Sequence, residues 1–135
     1  MLTVTKVMRA NAVSCLMFGL VFVISPELAA TFLGGTAPPP SWVVLGLGIL
    51  LIFNGLHLLW ASTLRPPSNN LIYYFSAGDV LWVIASMSLV FAKVWITTKE
   101  GIIATVLVAG LVAAFAILQL FHRRSARMMK ERQTL

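Results

Sequence analysis

Apolar residues run along this chain in four long stretches, with short polar breaks between them. The stretches cover about 4–24, 42–61, 71–91 and 102–121. Each reaches the roughly 20 residues that a helix needs to cross about 30 Å of hydrocarbon. The pattern predicts an all-α fold in a single domain, 1–135: a bundle of four transmembrane helices. The breaks carry their own signals. Ser25-Pro26-Glu27 ends the first stretch and opens something new. Ser is a good N-cap, Pro is tolerated in a first turn, and Glu there complements the helix dipole. A short helix over 26–33 is expected to lie in the interface through Leu28, Phe32 and Leu33. Gly34-Gly35 should end it, and 36–40 should form a stiff linker to Ser41, the expected cap of the second span. The segment 65–70, with Pro66-Pro67, reads as a non-helical turn closing a tight hairpin. Thr97-Thr98-Lys99-Glu100 has capping-box spacing and starts the fourth span near Thr98.

Composition removes the soluble alternative. At 59% hydrophobic and 10% charged, the chain has too few polar side chains to coat a water-facing globule. No soluble catalytic module fits between the spans, so any catalysis would be intramembrane or interfacial. The charges then set a topology. Lys6 and Arg9 precede the first span, Arg65 lies between the second and third, and Arg123, Arg124, Arg127, Lys130 and Arg132 follow the fourth. Under the positive-inside rule both termini are cytoplasmic. The net charge of +6 needs no nucleic acid to explain it. The tail, 122–135, is a juxtamembrane basic segment whose five cations are expected to contact anionic inner-leaflet headgroups, at about 1 kcal/mol per charge. A rival reading of the N-terminus is a cleavable signal, because Lys6 and Arg9, the run 12–24 and Leu28-Ala29-Ala30 imitate its three regions. That run is long for a signal, and cleavage would leave the other spans oriented as before.

Within the spans the polar residues are few. Asn54 and His57 share a face of the second span, and Ser76, Asp79 and Ser86 share a face of the third. At 1.5 Å per residue, Asn54 and Asp79 each lie roughly 12 Å in from the cytoplasmic end. Asn11 and Gln119 belong to the same half of the bundle. Two readings stay open for Asn11, Asn54, His57, Asp79 and Gln119. They form an interhelical hydrogen-bond lock, or Asp79 and His57 form a proton-accepting pair or the polar floor of a ligand cavity. Gly101, Thr105, Ala109 and Ala113 recur every four residues on the fourth span, a stripe for close helix packing within the monomer or between copies. Gly46 and Gly48 are candidates for the same role on the second.

Other chemistries have little support. The single cysteine, Cys15, excludes an intrachain disulfide and any cysteine-based metal site, and reads as a small packing residue. His57 and His122 lie at different depths, which disfavours haem ligation, and Glu27, Glu100 and Glu131 sit near helix ends, too far apart to complete a metal site. No cofactor is expected. Trp60, Trp82, Tyr73, Tyr74 and Phe75 read as belt anchors, with a quinone or sterol pocket as the alternative. There is no Gly-rich phosphate loop and no hydrolase-type nucleophile motif.

Ser25-Pro26-Glu27-Leu28, Leu45-Gly46-Leu47-Gly48, Gly78-Asp79-Val80-Leu81-Trp82 and Gln119, in that order, resemble small uncharacterised bacterial four-helix inner-membrane proteins. The resemblance implies the fold and no activity. The membrane-embedded Glu in the first helix of small multidrug transporters is absent here. The Arg-Asn-Glu pattern of the membrane glutathione-transferase-like family is not completed by Arg9-Ala10-Asn11. The expected function is that of a non-enzymatic membrane protein: an accessory or scaffolding subunit, in a homo-oligomer or larger complex, or a binder of a lipid-like molecule. The alternative is a small proton-linked transporter or channel using Asp79 and His57. The topology is open to direct measurement. A cytoplasm-active reporter fused after Leu135 should give signal and one inserted in 36–40 should not; activity in the latter position overturns the four-span arrangement.

Overall fold

The structure, a computed structural model, describes residues 4–64 and 69–133, with the side chains of 4, 69 and 122–131 outside that description. Five helices and no strand are found among the described residues: α1 (Val4–Ile24), α2 (Pro26–Gly34), α3 (Ser41–Ser62), α4 (Asn69–Ala92) and α5 (Lys99–Gln133). Thr5–Ile24, Ser41–Ser62, Asn70–Ala92 and Lys99–Phe121 are long and apolar enough to cross a membrane. The four expected spans and the short helix after the first are all helical.

Their ends differ in detail from expectation. Ser25 sits at the N-cap of α2, but its hydroxyl makes no capping bond. Helix α3 begins at Ser41 itself and takes Pro40 as its cap. The Pro40 carbonyl accepts the N–H groups of Val43 and Val44, at 3.0 and 3.3 Å, and so opens the ladder one residue early. Helix α4 starts at Asn69, inside the segment expected to be non-helical, while the rest of that turn, 65–68, lies outside the described residues. Helix α5 does not stop near Phe121 but continues to Gln133. Its 35 residues reach about 52 Å at 1.5 Å per residue. The basic tail is therefore helical up to Gln133; Arg132 is exposed, and the side chains of Arg123, Arg124, Arg127 and Lys130 fall outside the description.

The helices associate as two pairs. α1 lies along α3, α4 lies along α5, and the pairs meet where α1 touches α5. The consecutive helices α3 and α4 are not packed along their length, contrary to the expected tight hairpin. Backbones approach closely in the α1–α3 pair. A Cβ at Gly19 would come 2.9 Å from the Gly48 carbonyl oxygen, and one at Gly48 would come 3.0 Å from that of Gly19. Helices surrounded by hydrocarbon gain little from burying apolar side chains against one another, so such approach carries much of their association. On α5, Gly101 presses on the Leu33 backbone, Ala109 is buried, and Thr105 and Ala113 are half-buried. Gly46, expected to pack like Gly48, faces open space.

Helix α2 crosses one end of the bundle, touching α1, α3 and α5. The last carbonyls of a helix have no partner within it. Here the start of α5 supplies them. The Leu33 carbonyl accepts the N–H groups of Thr97 and Thr98, at 2.9 and 3.1 Å, and Thr97 Oγ1 donates to the Gly34 carbonyl at 2.9 Å. Thr98 Oγ1 also donates into the α2 terminus and accepts the Gly101 N–H at 2.9 Å. Thr98 thus caps α5 and binds α2 at once, while Thr97 serves α2 alone. Lys93 and Trp95, both with left-handed backbones (φ 56° and 63°), turn the chain back to this contact.

Gly48→Val should lower thermal stability in detergent by about 1–3 kcal/mol through overpacking, whereas Gly46→Val should not. Equal melting of the two variants would show that the α1–α3 approach is not what holds the pair.

Candidate functional site

The polar residues of the spans gather in the half of the bundle nearer the α3–α4 connection. Asn11 and Cys15 stand four residues apart on α1, which puts them on one face. Asn11 Nδ2 donates to Asp79 Oδ2 across to α4 at 3.0 Å. Its own carbonyl oxygen accepts from the Cys15 thiol at 3.7 Å. Asn54, on α3, donates to Cys15 Sγ at 3.5 Å. The result is a chain of polar side chains running Asn54, Cys15, Asn11, Asp79, which ties three helices together. Asn11 is 1% exposed and Asp79 7%, so the strong bond lies wholly inside the protein. Around it sits the main apolar cluster: Met8, Ala12, Leu58, Ala61 and Phe75. Among the described residues, the Asn11 amide is the donor found on the Asp79 carboxyl.

A second polar pair joins α4 to α5. Ser76 Oγ donates to Gln119 Oε1 at 3.2 Å. Ser76 lies one turn before Asp79, so both polar contacts of α4 leave from the same face. Gln119 is completely buried, and its Nε2 has no hydrogen-bond partner among the described residues.

His57 goes elsewhere. Sequence periodicity groups it with Asn54 as a companion of Asp79, yet its contacts are to rings. The imidazole meets Phe75 edge-on at 5.1 Å between centroids, with Trp60 at 5.6 Å, Tyr74 at 5.8 Å and Phe53 at 6.1 Å. No hydrogen bond of the imidazole is found among the described residues. Of the five polar residues singled out from the sequence, Asn11, Asn54 and Asp79 come together in one chain, Gln119 joins the second pair and His57 joins the aromatic group. What sequence reading missed is Cys15 as the link between two amides. The signal was present, because Cys15 follows Asn11 by four residues.

Two recesses stand out, and neither is lined by these residues. One lies beside α2 and the linker at Pro38–Ser41; the other, lined by Val80, Val83, Ala113 and Ala116, is an apolar groove between α4 and α5. Among the described residues no group of three His, Cys, Asp or Glu side chains could hold a metal ion. Compared with known proteins, the chain matches no family model, no curated protein and no solved structure.

The Asn11–Asp79 bond has a measurable energy. In a double-mutant cycle of Asn11→Ala and Asp79→Ala, unfolding in detergent or bicelles should show a coupling of about 0.6–1.7 kcal/mol. Strict additivity of the two substitutions would show that the residues do not interact.

Proposed function

We propose that this protein is a non-enzymatic, multi-pass component of a bacterial inner membrane, with both termini cytoplasmic, acting as an accessory or scaffolding subunit or as a binder of a lipid-like molecule. The observation that carries the proposal is the use to which Asp79 is put. A carboxyl group in an apolar span costs several kcal/mol unless it has a partner or a task. Asp79 has a partner: its bond to Asn11, backed by Cys15 and Asn54, links α4 to α1 and α3 in a bundle whose α3 and α4 do not pack along their length. Without it, α4 meets α1 and α3 through apolar and ring contacts at Phe75 and Tyr74, and lies along α5. A structural task is therefore sufficient to account for the residue. Neither recess is lined by Asp79, and the nearby His57 is committed to rings, so no relay through that pair is drawn by the geometry. The basic tail supports a cytoplasmic anchor on anionic lipids, and the exposed apolar faces of α1, α3 and α4 leave room for a partner helix or a second copy.

Asp79→Asn tests the assignment, because it keeps size and hydrogen-bonding capacity and removes ionisation. The variant should fold, with a melting temperature at least equal to the native one, and neither protein should move protons across liposomes in a pH-dependent way. Flux that depends on pH in the native protein and vanishes in Asp79→Asn would replace this proposal with a proton-linked transporter.

A further inference from the structure

The geometry points to a binding site, at the exposed edge of the ring group around His57, for a flat conjugated molecule that carries carbonyl oxygens, of the quinone class, with His57 and Asn54 as its hydrogen-bond donors. This rests on the reading above of a protein that binds a lipid-like molecule, and it names the chemistry. Asn54 and His57 are three residues apart on α3, so their side chains stand about 5–6 Å from one another on one face. Both are half-exposed. His57 lies about 8 Å in from the end of α3 at Ser62 and Asn54 about 12 Å, at depths where lipid tails offer no hydrogen bond.

Each residue has hydrogen-bonding capacity left over. The imidazole has no hydrogen bond among the described residues. Among the described residues, the Asn54 amide donates to a thiol, a weak acceptor, at 3.5 Å. Two donors left half-exposed to hydrocarbon select for an occupant that brings acceptors with it. The surrounding rings select its shape. Phe53, Trp60 and Tyr74 surround the imidazole and are each more than half-exposed, so their faces are free to take a flat ring. Aromatic rings pack offset or edge-on to one another, a contact that a saturated acyl chain cannot reproduce. Phe75 of α4 closes the inner side of the imidazole, and the exposed edge formed by Phe53, Trp60 and Tyr74 gives a molecule in the bilayer lateral access to it. A quinone head has both properties: a planar ring, and carbonyl oxygens on opposite sides of it. Only binding is inferred, and no electron transfer is assigned.

The test uses the purified full chain in detergent, titrated with decylubiquinone and, separately, with decylbenzene, which has the ring and tail and lacks the carbonyls. Decylubiquinone should bind saturably at one site per chain and at least ten-fold more tightly than decylbenzene. His57→Phe, which keeps an aromatic ring and removes the donors, should weaken decylubiquinone about ten-fold and leave decylbenzene unchanged. Asn54→Leu should weaken decylubiquinone likewise, which keeps the comparison available if either variant folds poorly. Equal affinity of the native protein for the two compounds, or unchanged decylubiquinone binding in both variants, overturns the site. Such a failure is separate from a failure of the scaffolding proposal, which is decided by proton flux in Asp79→Asn.

Discussion

The bond between Asn11 and Asp79 is the contact on which the arrangement of the bundle turns. A carboxyl group cannot be left facing hydrocarbon, and a helix long enough to cross a membrane has no water to offer it there. α4 must therefore present Asp79 to a donor on another helix, and the donor is on α1. That choice orients α4 about its axis, because Ser76 lies on the same face and reaches Gln119 of α5. One rotation of α4 satisfies both polar contacts. Its remaining faces, with Leu81, Ile84 and Phe91 well exposed, are left for an apolar solvent.

Small residues and threonines complete what the polar chain begins. Gly19 and Gly48 let α1 and α3 approach until their backbones nearly touch, which brings Cys15 within reach of Asn54. At the opposite end of the bundle the unpaired carbonyls of α2 are taken up by Thr97 and Thr98. The bundle is thus held at two levels by different chemistry. Near the α3–α4 connection it is held by buried side-chain amides and a carboxyl, and at the α2 end by backbone carbonyls and threonine hydroxyls. Between them the contacts are apolar and contribute mainly through close packing.

Much of this was legible before any coordinates. The four apolar stretches, the break at Gly34-Gly35 and the start of α5 beside Thr98 follow from local chemistry, because hydrophobic length, positive φ at Gly35 and a threonine cap act within one or two turns. Asn11, Asn54, Asp79 and Gln119 stood out because amides and a carboxyl are rare inside such stretches. Their pairing was less legible. Proximity in sequence argued for Asn54 and His57 as the partners of Asp79 across a hairpin, and the helix that supplies the partner is α1, far away in the chain. The glycine signal was also misjudged in part. The stripe on α5 includes Gly101, which presses on the Leu33 backbone, while the close approach of Gly19 to Gly48 was not anticipated and Gly46 faces open space.

The sequence by itself determined the number of helices, the extent of the four apolar spans and the few positions where polar groups enter an apolar environment, since each of these depends on composition along one segment. The tertiary structure alone decided which helices are neighbours. That α1 pairs with α3 and α4 with α5, that α3 and α4 do not pack along their length, that Cys15 joins two amides and that His57 turns to rings all depend on the relative rotation of helices. Rotation is set by which polar groups can be satisfied together and which backbones can meet without a Cβ between them, and no single segment carries that information.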